Sequence, residues 1–190
     1  LAFSVIAAIW LVGGANELHI LVYGETFSYY AALHGNVLGW MTVGSIAVLA
    51  MQGGPHQKLY LTATFLSFAS FLLIAIGIAS TPNAAAPTLK PIGVLGLSLS
   101  VPIAQLAFLR STWPTHKPAF TLGLLSLLGL IFTLILAWQN ELGHVSFPPM
   151  LGVRPMVSLH GLINGVLVAP CFMLAVAIYN HKVHSGTDVK

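Results

Sequence analysis

The sequence predicts an all-α protein, a six-helix transmembrane bundle with both termini cytoplasmic. Three observations carry this expectation. Apolar residues make up 57% of the 190 and charged residues 6%, whereas a water-soluble chain is roughly a quarter charged. The mean hydropathy of +0.90 agrees, and the solvent such a surface suits is a bilayer. Six stretches approach the ~20 apolar residues that cross a hydrocarbon core. The basic residues, finally, are divided unevenly among the connections. A lipid-exposed sheet would have to close into a barrel, and the alternating pattern of barrel strands is absent.

The first stretch, 1–23, is interrupted by Asn16, Glu17 and His19. No secretory cleavage pattern follows it, so it is read as a helix of the mature protein. The second, 28–51, ends at QGGPHQK. The third, 60–80, ends at TPNAAAPTLK, and the fourth, 90–110, at STWPTHKP. The fifth, 119–138, leads into the longer QNELGHVSFPPMLGVR, and the sixth covers 155–179. Glycine and proline punctuate each connection. The connections are short, so residues 1–190 read as a single integral membrane domain.

With both ends cytoplasmic, the inner loops and tail hold Lys58, Arg110, Lys117, Lys182 and Lys190, and the outer loops hold Lys90 and Arg154. That is the expected inward bias of basic residues. Tyr23, Tyr29, Tyr30 and Trp138 fall near the outer boundary, and Tyr60, Trp113 and Tyr179 near the inner one. The expected setting is the cell membrane, crossed several times. The expected partners are the lipid bilayer and other membrane subunits, with no nucleic acid, because the basic residues form no patch. Cys171 is the one cysteine and has no internal disulfide partner.

Two copies of a short pattern stand out: LHGNVLG at Leu33–Gly39 and LHGLING at Leu159–Gly165. Counting 1.5 Å per residue from the outer ends of segments two and six brings His34 and His160 to nearly the same depth. A polar ring in hydrocarbon without a partner costs several kcal/mol, so each histidine must face protein, a ligand or water. Asn164 shares the helix face of His160. Gly35 and Gly39, and Gly161 and Gly165, form small stripes beside the two rings. In one reading these stripes let helices approach closely while the histidines bond to neighbours. In another, the histidines ligate a haem iron from opposite faces, with the glycines making room for the macrocycle and Arg154 pairing a propionate. In a third, a transition metal is held by His34 and His160, joined by His19, Glu17 or His144. No HExxH or CxxC spacing supports that third set.

Pro102 and Pro170 fall near the middles of segments four and six, where each would bend its helix. Kinked helices suit a transporter-like cavity for a small molecule or lipid. However, segments three to five offer only Ser, Thr and Gln105 as polar groups. No phosphate loop, nucleophile elbow or Ser-His-Asp order is present, so no catalytic residue is assigned. His56, His116, His181 and His184 read as solvated residues of the inner loops and tail.

The stretch RPMVSLHGLING, Arg154 to Gly165, resembles a motif of the YndJ-like family of multi-pass membrane proteins. There an arginine and a methionine precede a His-Gly pair, and an asparagine follows the histidine by four. Arg154, Met156, His160, Gly161 and Asn164 carry the likeness. ALHGNVLGW, Ala32 to Trp40, is similar to the His-then-Gly-Trp helix of small proteins related to the catalytic subunit of haem-copper oxidases, through His34, Gly39 and Trp40. The chain departs from these patterns: it reads NGVLVAP where an aromatic is usual, and it lacks the many histidines of an oxidase core. The resemblance therefore implies a multi-pass fold with haem or metal, and not oxygen chemistry at a copper–haem pair.

Together these readings lead to an expected protein that binds haem b or a transition metal through paired histidines near the extracytoplasmic side. It would serve electron transfer or act as an accessory subunit. The alternatives are the transporter-like protein and a structural subunit with no cofactor.

Overall fold

The computed structural model describes residues 2–18, 20, 25–80, 88–144 and 155–185. Every element longer than a turn among them is helical: α1 (Ala2–Ala15), α2 (Glu25–His34), a wide π segment π1 (Gly35–Val43), α3 (Gly44–Met51), α4 (Gln57–Ser80), α5 (Leu89–Thr112), α6 (Lys117–Glu141), α7 (Pro155–Ile163), a second π segment π2 (Asn164–Val168) and α8 (Ala169–Ser185). The runs α2–π1–α3 and α7–π2–α8 are each one continuous rod. Among the described residues, five stretches are long and apolar enough to cross a membrane: Ser28–Met51, Gln57–Ile78, Leu89–Thr112, Lys117–Glu141 and Ser158–Lys182. Large apolar side chains turned outward, such as Phe65, Leu162 and Val166, give these rods the surface that lipid covers.

The first stretch differs from expectation. Its helix does not run through 1–23 but stops at Ala15. At 1.5 Å per residue it is about 21 Å long, short of the ~30 Å core. The reason lies in its polar residues. Asn16 turns its amide back onto the Val12 carbonyl at 2.8 Å. Leu18 N–H then donates to Gly13 O at 2.9 Å and Glu17 N–H to Gly14 O at 3.3 Å, the paired bonds of a Schellman stop. Glu17 takes the left-handed position of that stop, with φ of 54°, where glycine is the usual occupant.

The rod α2–π1–α3 lies centrally, touching α1, α4 and α8, with π1 also meeting π2. α4 and α5 form the tightest pair, and a Cβ on Gly93 would lie 2.5 Å from the Ser70 carbonyl oxygen, so the two backbones meet there. Ser67 and Ser100 share a hydroxyl hydrogen bond across this pair at 2.8 Å. The main core gathers Ile46, Val101, Phe108, Val168 and Phe172, all nearly or fully enclosed. At one end of the bundle, Lys90 at the start of α5 pairs with Glu141 at the end of α6 at 2.7 Å. At the opposite end, His116 is the N-cap of α6, its ring nitrogen accepting from Ala119 N–H at 3.5 Å. His116 is thus buried against Tyr179 and is not the solvated loop residue expected.

Two devices shape the long rods. α5 runs unbroken through Pro102. Pro170, by contrast, sits at the second position of α8, directly after π2. Proline lacks an N–H and its ring crowds the carbonyl four residues back. A wider turn relieves that crowding, and Ala169 N–H accordingly reaches back five residues to Asn164 O. In π1 there is no proline; Gly44 N–H bonds Gly39 O, five residues back, and the Thr42 hydroxyl follows suit onto Val37 O at 3.0 Å.

Candidate functional site

The two LHG copies meet. The ring centres of His34 and His160 are 6.1 Å apart and the planes lie within 24° of parallel. His34 is the last residue of α2, immediately before π1. His160 lies in α7, one turn before π2 opens at Asn164. Each histidine is therefore followed by a π segment, and the two π segments touch. Such widened turns are rare and concentrate at functional sites.

Each ring is tied back by the same atom. His34 Nδ1–H donates to the Tyr30 carbonyl at 2.7 Å, and His160 Nδ1–H donates to the Thr133 carbonyl of α6 at 3.0 Å. A carbonyl oxygen only accepts, so Nδ1 carries the proton in both rings. In the neutral imidazole, Nε2 then presents a lone pair. Metal-ligating histidines are held in this way, by a carbonyl on the ring nitrogen that does not bind the ion. The pair is unequally enclosed: His160 is half-buried and His34 exposed.

Around His160 the hydrogen bonding closes on itself. The Thr133 hydroxyl donates to Asn164 Oδ1 at 3.1 Å and to Leu130 O at 3.0 Å. Asn164 Nδ2 donates to the His160 carbonyl at 2.9 Å. Two turns along α6, Ser126 donates to the Val168 carbonyl at 2.7 Å, at the end of π2, and accepts from Gln105 Nε2 at 3.0 Å. Ser126, Gly129 and Thr133 thus form one seam against α7–π2–α8, with Gly129 letting Val168 and Leu167 close to about 3.0 Å of where a Cβ would stand. Sequence reasoning set these hydroxyls aside. Their spacing of three and four along the fifth stretch was the available signal.

The glycines divide differently from expectation. Gly35 and Gly39 do not open a slot beside His34. They face α1, where a Cβ on Gly39 would fall 2.2 Å from the Phe3 ring and one on Gly35 2.9 Å from Ala7. Gly161 has nothing within 4 Å of its missing Cβ, and a Cβ on Gly165 would lie 4.0 Å from Val37 Cγ2. Glu17 is exposed at the end of α1, and His144 is exposed beyond the end of α6. His19 and Arg154 lie outside the described residues. Among the described residues no third His, Cys, Asp or Glu joins the pair.

Pro102 lines a shallow outward-facing groove of about 450 Å³ between α5 and α6, with Ser98, Ile131, Trp138 and Gln139. Trp138 Nε1 donates there to the Ser98 hydroxyl at 3.0 Å.

Fold and surface define a multi-pass helical membrane protein. Comparison of the chain with protein-family models, curated proteins and solved structures gives no match.

Proposed function

We propose that this is a multi-pass protein of the cell membrane, with both termini cytoplasmic, that holds a transition-metal ion between His34 and His160 in the extracytoplasmic third of the bilayer. It would serve electron transfer or act as a subunit of a larger membrane complex. The observation that carries the reading is the ring pair, 6.1 Å apart and with both Nδ1 atoms already donated to carbonyls. A metal–imidazole bond of about 2.0–2.1 Å would need the Nε2 edges of the two stacked rings to turn toward a shared ion. Imidazole suits zinc, copper and iron. Arg154 and Asn164 have separate parts: Asn164 steadies His160 through Thr133, and Arg154 belongs to the outer loop.

Haem b on the same pair is less well supported. Gly35 and Gly39 are filled by α1, so the stripe beside His34 makes no room for a macrocycle, while the stripe of Gly161 and Gly165 faces open space among the described residues. The test is an absorption spectrum with metal analysis of the purified protein, His34→Ala and His160→Ala. Stoichiometric metal without a Soret band, lost in both variants, supports the reading. A Soret band lost in both assigns haem instead. A colourless, metal-free protein in which the variants alter stability alone overturns it and leaves a histidine pair that packs helices.

A further inference from the structure

We infer that the outward face of the α2–π1–α3 rod is a contact surface for a second copy of this chain, centred on Asn36, Trp40 and Gly44. This surface is separate from the metal reading above and includes neither histidine. Its first support is a polar side chain turned outward. Deep in the membrane-crossing stretches the polar groups face inward: Ser67, Ser100, Gln105, Ser126 and Thr133 are all buried. Asn36, in the stretch Ser28–Met51, is exposed. One Nδ2 hydrogen goes to the Ala32 carbonyl of its own rod at 3.1 Å. Among the described residues the other hydrogen and Oδ1 have no partner. Hydrocarbon offers an amide nothing to bond, whereas an asparagine on a neighbouring helix does.

The second support is shape. Trp40 stands one turn further along, at the middle of the same stretch, and is exposed, although tryptophan ordinarily gathers at the membrane–water boundary. Four residues on, Gly44 leaves an open notch: within 4 Å of where its Cβ would stand there is only the Gly39 carbonyl of its own rod. Val48, four residues further, is exposed too. An open amide, a bulky ring and a notch thus follow one another along one face, while α1 takes the adjoining face through Gly35 and Gly39. These features choose a second copy as the occupant. Copies of a membrane chain share one orientation, so a two-fold axis along the membrane normal brings Asn36 level with Asn36 of the second copy. An amide carries both donor and acceptor, so it satisfies its own counterpart. Each Trp40 ring then lies over the Gly44 notch of the other chain. Small residues and amide bonds between helices are the ordinary means by which membrane helices associate.

The experiment reconstitutes the full chain in phosphatidylcholine vesicles at falling protein-to-lipid ratio and follows association by energy transfer between donor- and acceptor-labelled copies. The expected result is a dimer. Asn36→Leu should weaken association by about 3–30-fold, and Gly44→Ile, which fills the notch, should weaken it as well. In a Cys171→Ser background, Val48→Cys should join two copies by a disulfide on mild oxidation, and Leu128→Cys, exposed on α6, should not. The cysteine comparison reads the face directly, whatever the two larger substitutions do to folding. A chain that stays monomeric at every ratio overturns the proposal. So does energy transfer unchanged by both Asn36→Leu and Gly44→Ile, or a Leu128→Cys chain that links as readily as Val48→Cys.

Discussion

The carbonyl of Thr133 accepts the Nδ1–H of His160 across the α6–α7 interface at 3.0 Å. Thr133 also holds Asn164 by its hydroxyl, so one α6 residue steadies both polar groups of the second LHG copy. Thr133→Val keeps the carbonyl and the shape but removes the hydroxyl. The expected cost is about 0.5–2 kcal/mol in thermal or denaturant unfolding in detergent. Metal affinity should fall by about 10–100-fold, because partners behind a ligand orient it. Unchanged affinity would mean that the ring is held by the carbonyl alone.

Gly39 and Gly161 both belong to the glycine stripes of the two LHG copies but meet opposite surroundings in the fold. Gly39→Ala drives a methyl into the Phe3 ring and should cost about 1–3 kcal/mol. In a Phe3→Ala background the same change should cost clearly less, the non-additivity that marks contacting residues. Gly161→Ala meets open space and should be neutral or stabilising by up to about 1 kcal/mol, since alanine is the better helix former. Unfolding midpoints of these variants measure the difference.

The buried Gln105 has one half of its amide satisfied. Nε2 bonds Ser126, while Oε1 has no partner among the described residues. Gln105→Met should therefore change stability by less than about 1 kcal/mol. Ser126→Ala should cost about 1–2 kcal/mol, because it removes the buried Gln105 donor's partner and the Ser126 bond to the Val168 carbonyl. Comparison of the two by chemical denaturation decides the ranking.

Glu17 ends α1 in a left-handed conformation at φ 54°. Glu17→Gly should raise stability by about 0.5–1 kcal/mol, as glycine adopts that conformation without strain. Since Glu17 is also a sequence candidate for the metal set, the same variant should leave metal stoichiometry unchanged.

Much of this architecture can be read from residues, and the reasons for the exceptions are physical. Long apolar runs broken by QGGPHQK or STWPTHKP locate helices because few other structures satisfy the backbone in lipid. Depth counting brought His34 and His160 level because helical rise is constant. The early end of α1 was harder to see, since the apolar run resumes after Asn16 and Glu17, and the stop depends on two local backbone bonds. The π segments were illegible, because a five-residue hydrogen bond leaves no compositional trace; Pro170 was the one hint, and π1 has no proline at all. The role of Gly35 and Gly39 depended on which neighbour they face, and a stripe of small residues does not name its partner. His116 carried a signal that went unused: a residue followed by Lys117-Pro118 is placed to begin a helix, with proline tolerated in the first turn.

The central claim is that His34 and His160 bind one ligand together, and a double-substitution cycle on ion affinity tests it most directly. Copper(I) and zinc(II) titrations are run on the unsubstituted chain, on each single alanine variant and on the variant carrying both. If the rings share an ion, either change alone removes most of the affinity and the second adds little, a strongly non-additive result. Losses that simply sum, or affinity that survives in the doubly substituted chain, would contradict it.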